Sequence, residues 1–115
     1  MTDCIFCKII KGEIPKKFVY KDNDLVAFYD INPKAPVHVL IVPRKHIESL
    51  REIKEEDKDL MGKLMLVVKQ IAEKLGIAKE GYKVVINNGR VSGQLVFHLH
   101  LHLLGGWKDK ADWNV

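Results

Sequence analysis

The run His98-Leu99-His100-Leu101-His102-Leu103-Leu104 constrains this chain more than any other segment. Polar and apolar residues alternate through His102, the period of a strand with two chemically different faces. A strand over residues 96–104 places His98, His100 and His102 on one face, with neighbours about 6.6–6.8 Å apart. Phe97, Leu99, Leu101 and Leu103 then point the other way, toward a core. Three readings of the imidazole face stand open. It is a polar outer face that happens to be histidine, or a metal site, or a catalytic surface. A straight strand spreads its ligands too far for one ion to gather all three, so an ion would take at most two. For catalysis, a neutral imidazole nitrogen can attack phosphorus and form a covalent phosphoramidate. A second imidazole one repeat away can bond the phosphoryl oxygens, protonated or not, because its pKa lies near neutrality.

The remaining pattern supplies the frame. Residues 4–10 read as a short helix bounded by Gly12 and Pro15. Residues 17–21 and 25–29 are rich in Val, Phe and Tyr around Asp22-Asn23-Asp24, a hairpin. Asn32-Pro33-Lys34-Ala35-Pro36 is a loop, and residues 37–42 form a strand stopped by Pro43. Leu60, Leu64, Val67, Val68, Ile71 and Leu75 make one apolar stripe of a helix over 55–75. Its acidic start and Gly76 end suit the helix termini. Residues 83–87 read as a strand, followed by a loop to Gly93. The order predicts one α+β domain over residues 1–115: a five-stranded antiparallel sheet with a long helix and a short N-terminal helix packed on one face.

Composition narrows the function. At 115 residues, 47% apolar and 30% charged, the chain can bury a core without disulfides. The first ten residues are not a secretory signal, and no apolar stretch is long enough to span a bilayer. Cytoplasm is therefore the expected compartment, with no membrane partner. The net charge of +4 is spread along the chain; it can collect an anionic substrate but forms no basic–aromatic patch for polymeric nucleic acid. Cys4 and Cys7 have the spacing of half a structural zinc site, whose other ligands must come from elsewhere. Two buried thiols without metal are the alternative. A thioredoxin-like redox pair lacks its βαβ context.

The histidine run, Asp30-Ile31-Asn32-Pro33-Lys34-Ala35-Pro36-Val37-His38, Val42-Pro43-Arg44-Lys45-His46 and Gly81-Tyr82-Lys83-Val84-Val85-Ile86-Asn87 together resemble the histidine triad (HIT) family over residues 4–107. The nearest branch is the nucleoside-phosphoramidase type, similar to the histidine triad nucleotide-binding proteins. The resemblance implies that His100 is the nucleophile, that His102 bonds the phosphate and that His38 orients the site or relays a proton. It implies that Asp30 bonds ribose hydroxyls and that Asn87 and Gln94 belong to the nucleotide site. Ile5, Phe6, Ile9, Ile14, Phe28, Ile31 and Leu40 would form the slot for a purine base; ordinary core is the alternative for each. A turn-capping role is the alternative for Asp30. It further implies a structural zinc held by Cys4, Cys7, His46 and His98, and a homodimer with one larger sheet.

Two departures bear on activity. The family's hydroxyl residue after Gly93-Gln94 is replaced by Leu95, which removes a donor to the leaving group. The family's C-terminal tryptophan comes from a partner subunit, and the surroundings of Trp113 do not match that tail. The expected function is cleavage of purine nucleoside phosphoramidates through a nucleotidyl-histidine. The alternatives are a dinucleoside polyphosphate or adenylyl-adduct hydrolase, a nucleotide-binding regulatory module with negligible turnover, and a zinc-dependent hydrolase.

Overall fold

The structure, a computed structural model, describes residues 4–111 and 113. In chain order the elements are α1 (Ile5–Ile10), β1 (Tyr20–Lys21), β2 (Leu25–Tyr29), β3 (Val37–Pro43), α2 (Lys58–Lys74), β4 (Tyr82–Val85) and β5 (Leu101–Gly105). All strand pairs are antiparallel, in the spatial order β1-β2-β3-β5-β4. The last strand therefore inserts between β3 and β4 and carries His102 into the interior of the sheet. No helix among the described residues is long and apolar enough to cross a membrane.

Local chemistry explains most of the boundaries. Asp22 turns the β1–β2 hairpin: its carboxylate accepts the N–H groups of Asp24 (2.7 Å) and Leu25 (2.8 Å) and the Tyr20 hydroxyl (2.6 Å). Residues 55–57 form a tight single turn ahead of α2, and Asp57 accepts the Lys54 N–H at 2.9 Å. Gly76 adopts a left-handed φ of 75°, and the Ile77 N–H returns to the Ala72 carbonyl at 3.0 Å, closing α2.

The two helices cover opposite faces of the sheet, which corrects the expectation of one covered face. Leu64, Val67, Val68 and Ile71 of α2 pack on Leu25, Ala27, Val39, Ile41, Leu101 and Leu103. Phe6 and Ile9 of α1 pack on Val26, Phe28, Leu40 and Val42. The physical reason is legible in β2 and in β3 after His38, where consecutive residues are apolar without alternation; such strands must be covered on both sides.

The second correction concerns the histidine run. β5 begins at Leu101, not residue 96, so His98 and His100 precede the paired strand. The register Ile41↔Leu101 would bring Pro43 opposite Leu99, and Pro43 has no N–H to donate to the ladder. The chain leaves the sheet there. The Leu99 N–H instead donates to the Ile47 carbonyl at 2.6 Å, and Phe97 is exposed rather than under α2.

Candidate functional site

Side chains on the α1 face of the sheet form a row. Phe28 on β2 pairs with Leu40 on β3, which pairs with His102 on β5. With strands about 4.8 Å apart, Phe28 and His102 stand about 10 Å from each other. Phe6 of α1 roofs this row edge-on, with its ring 5.6 Å from Phe28 and 5.0 Å from His100. Between them lies a cleft of about 250 Å³ with apolar walls.

Of the residues expected at a nucleotide site, Phe6, Ile9, Phe28, Ile31, Leu40, Asp30, Asn87, His100 and His102 line this cleft, as does Ile5. His38 lies behind His102 and lines an adjoining cavity with Asp30, Lys34, Asn87, Leu95 and Trp113. Two residues reach neither cavity. Ile14 packs against the cluster formed by Phe6, Phe28 and Leu40. Gln94 is buried, and its amide is fully committed: it donates to the Glu48 (2.7 Å) and Val96 (3.0 Å) carbonyls and accepts the Gly89 N–H (2.8 Å). Its side chain holds the 89–96 loop together. Leu95, marked in the sequence as the departure next to the leaving group, lines the cleft; Lys16, Tyr29 and Val96 line it without any sequence signal that marked them.

Hydrogen bonds to backbone groups of fixed polarity assign the histidine tautomers. The Lys34 N–H donates to His38 Nδ1 at 3.0 Å, so neutral His38 carries its proton on Nε2. That Nε2–H donates to His102 Nδ1 at 2.9 Å, with Asp30 Oδ2 3.6 Å away. His102 in turn carries its proton on Nε2. His100 Nδ1–H donates to the His98 carbonyl at 2.7 Å, which leaves His100 Nε2 as a free lone pair. The His100 and His102 rings are 5.0 Å apart. One lone pair and one N–H donor thus sit side by side.

Burial keeps these rings neutral. It pushes His102 down to about 4, and the neighbouring His100 and His38 add to the shift. Burial also lowers His100, against the opposing bond to the His98 carbonyl, and lowers His38, against the nearby Asp30 carboxylate. A neutral imidazole is the nucleophilic form.

Asp30, His38 and His102 are close enough to suggest a second metal group. The tautomers argue otherwise, because His38 Nε2 carries a proton. Its 2.9 Å separation from His102 Nδ1 is a hydrogen bond, shorter than the nitrogen–nitrogen edge of about 3.3 Å in a zinc tetrahedron.

Cys4, Cys7, His46 and His98 form a different kind of group, with all ligand atoms within 4.8 Å of one another. Cys4 caps α1 and Cys7 lies in its first turn; His46 follows β3, and His98 precedes β5. Cys4 Sγ is 3.4 Å from His98 Nδ1, Cys7 Sγ is 3.3 Å from His46 Nδ1 and 3.6 Å from His98 Nδ1, and the two Nδ1 atoms are 3.2 Å apart. A tetrahedral zinc has nitrogen–sulfur edges of about 3.6 Å and nitrogen–nitrogen edges of about 3.3 Å. The donor set and its edges fit such an ion. His98 Nε2–H donates to the Pro43 carbonyl at 2.7 Å, which presents the Nδ1 lone pair to the thiols. Burial and the Cys4 thiol raise Cys7 above its ordinary pKa, an effect that a bound cation would reverse.

Comparison with known proteins gives the family and the fold. Residues 11–109 match the HIT domain. Protein HitA of Neisseria gonorrhoeae is 49% identical over 105 residues, covering 91% of this chain and 97% of that protein. A HIT family hydrolase from Clostridium thermocellum superposes with a TM-score of 0.91 at 47% identity, covering 94% of each chain. A histidine triad nucleotide-binding protein from Candida albicans gives 0.79 at 39% identity, covering 95% of this chain and 85% of that one. With a domain match over most of its length and the same five-stranded fold as solved relatives, this chain belongs to the HIT family, which includes hydrolases.

Proposed function

We propose that this single-domain chain cleaves purine nucleoside monophosphate derivatives, phosphoramidates above all, through a nucleotidyl-His100 intermediate. One observation carries the reading: His100 Nδ1 is committed to the His98 carbonyl, and its Nε2 lone pair is beside the His102 donor at one end of an apolar cleft. His100 Nε2 attacks phosphorus; the phosphorus–nitrogen bond breaks and the leaving amine takes a proton from solvent, which is returned when water adds in the second step. Water then cleaves the phosphorus–histidine bond and releases the nucleoside monophosphate. His102 Nε2–H bonds the phosphoryl oxygen as charge builds on it. His38 supports His102 and links it to Asp30, which is placed to bond ribose hydroxyls. Phe6, Phe28 and Leu40 cover the purine, and Asn87 lies near the phosphate. The nucleotide-binding name of the Candida relative supports the ligand class.

Cys4, Cys7, His46 and His98 would hold a structural zinc. The ion would supply no chemistry to phosphorus; it would pin α1 and the segment before β5 to the end of β3. Dimerisation is proposed through the free edge of β4 and α2, where Val84, Met65 and Leu66 are exposed. The reducing cytoplasm is the compartment that suits two free cysteines.

Leu95 keeps a second reading in view. It is 89% exposed at the mouth of the cleft and offers no hydrogen bond to a leaving group. A nucleotide-binding module with negligible turnover would tolerate that residue. Incubation with adenosine phosphoramidate decides the matter: AMP should accumulate with the native chain and not with His100→Ala. Binding of AMP without any release above background would favour the regulatory module.

A further inference from the structure

The apolar cleft has a charged group at the end away from the histidines. Lys16, in the connection between α1 and β1, lines the cleft and holds its ammonium 5.4 Å from the centroid of the Phe28 ring. Phe28 is about 10 Å from His102 across three strands, about the span of a nucleoside monophosphate from phosphorus to the outer edge of its base. Among the described residues, Lys16 is the one Lys or Arg in the cleft wall, and its ion-pair partners include no carboxylate. The other groups suited to a nucleotide's polar parts, Asp30, Asn87 and His102, also line the cavity behind the histidines. Lys16 does not.

We propose that Lys16 reads the base and makes the cleft selective for 6-oxopurines, guanine and hypoxanthine, over adenine. The inference rests on the nucleotide reading of the cleft given above. An ammonium offers donors and no acceptor. A 6-oxopurine presents two adjacent acceptors, N7 and O6, whereas adenine presents one acceptor beside an amino donor. The apolar walls strip water from the base, so a mismatched amino group facing the ammonium goes unpaired. The Phe28 ring attracts the cation and keeps it over the base end before ligand arrives.

Calorimetric titration of AMP, GMP and IMP tests this. The native protein should bind GMP and IMP about tenfold or more tightly than AMP, the selectivity of a good paired contact to N7 and O6. IMP should match GMP, because the 2-amino group plays no part. Lys16→Met keeps the apolar stem over Phe28 and should bring all three affinities within about twofold of one another; Lys16→Arg, which restores paired donors, should keep the preference. Equal affinities in the native protein, or a preference that survives in Lys16→Met, overturn the proposal while leaving the nucleotide site standing. No binding of any of the three nucleotides overturns the functional reading itself. Melting curves of the variants confirm that the fold is intact in each comparison.

Discussion

Gln94→Ala distinguishes two roles for one residue. As a nucleotide ligand, Gln94 would cost binding when removed and leave stability alone. The structure places it elsewhere: 3% exposed, with three hydrogen bonds of 2.7–3.0 Å to Glu48, Val96 and Gly89. Each buried bond contributes about 1 kcal/mol net, so truncation should cost about 3 kcal/mol, a factor of about 150 in the folding equilibrium. For a chain of this length the melting midpoint should fall by about 12 °C. Gln94→Glu keeps the volume and an acceptor but points a carboxylate at two carbonyls, and should be at least as damaging. Urea unfolding followed by tryptophan fluorescence gives the stability, with an unchanged m-value confirming that the same surface unfolds. AMP affinity is then measured in the cold, where the variant is folded. Stability within about 0.5 kcal/mol of native, together with a tenfold or greater loss of AMP binding, would refute the structural role.

Two further outcomes follow from the site. Cys7→Ser, or chelation of the native protein, should lower the melting temperature, while turnover measured well below the new midpoint survives within about tenfold. Complete loss of turnover in protein that circular dichroism shows still folded would point to a metal-dependent hydrolase instead. Stability should also fall with acid. His102 is held at about 4 against an ordinary 6.5, and His100 and His38 are lowered too, so the unfolded chain takes up protons first. The contribution of these rings is complete above pH 6.5 and is lost as pH falls through about 4. A urea midpoint that stays constant between about pH 7 and pH 4.5 contradicts this.

Much of this protein was legible in the chain itself. The long helix showed in its apolar stripe, the β1–β2 hairpin in Asp22-Asn23-Asp24, and the identity of the central histidines in a pattern that depends only on the two-residue period of a strand. The spacing of Cys4 and Cys7 marked half a metal site, and the resemblance to the HIT family supplied His46 and His98 as its other half. The tertiary structure decided what depends on neighbours remote in sequence. The absence of an N–H on Pro43 fits the late start of β5, so His98 faces the thiols while His100 and His102 face the cleft. Which nitrogen of each ring is free is set by the backbone groups of Lys34 and His98, and backbone groups leave no trace in residue type. Gln94 meets the Glu48 and Val96 carbonyls, and Lys16 lines the cleft wall, for the same reason. Whether a polar side chain meets a ligand or the protein's own carbonyls is fixed by packing between distant segments, and local sequence does not encode it.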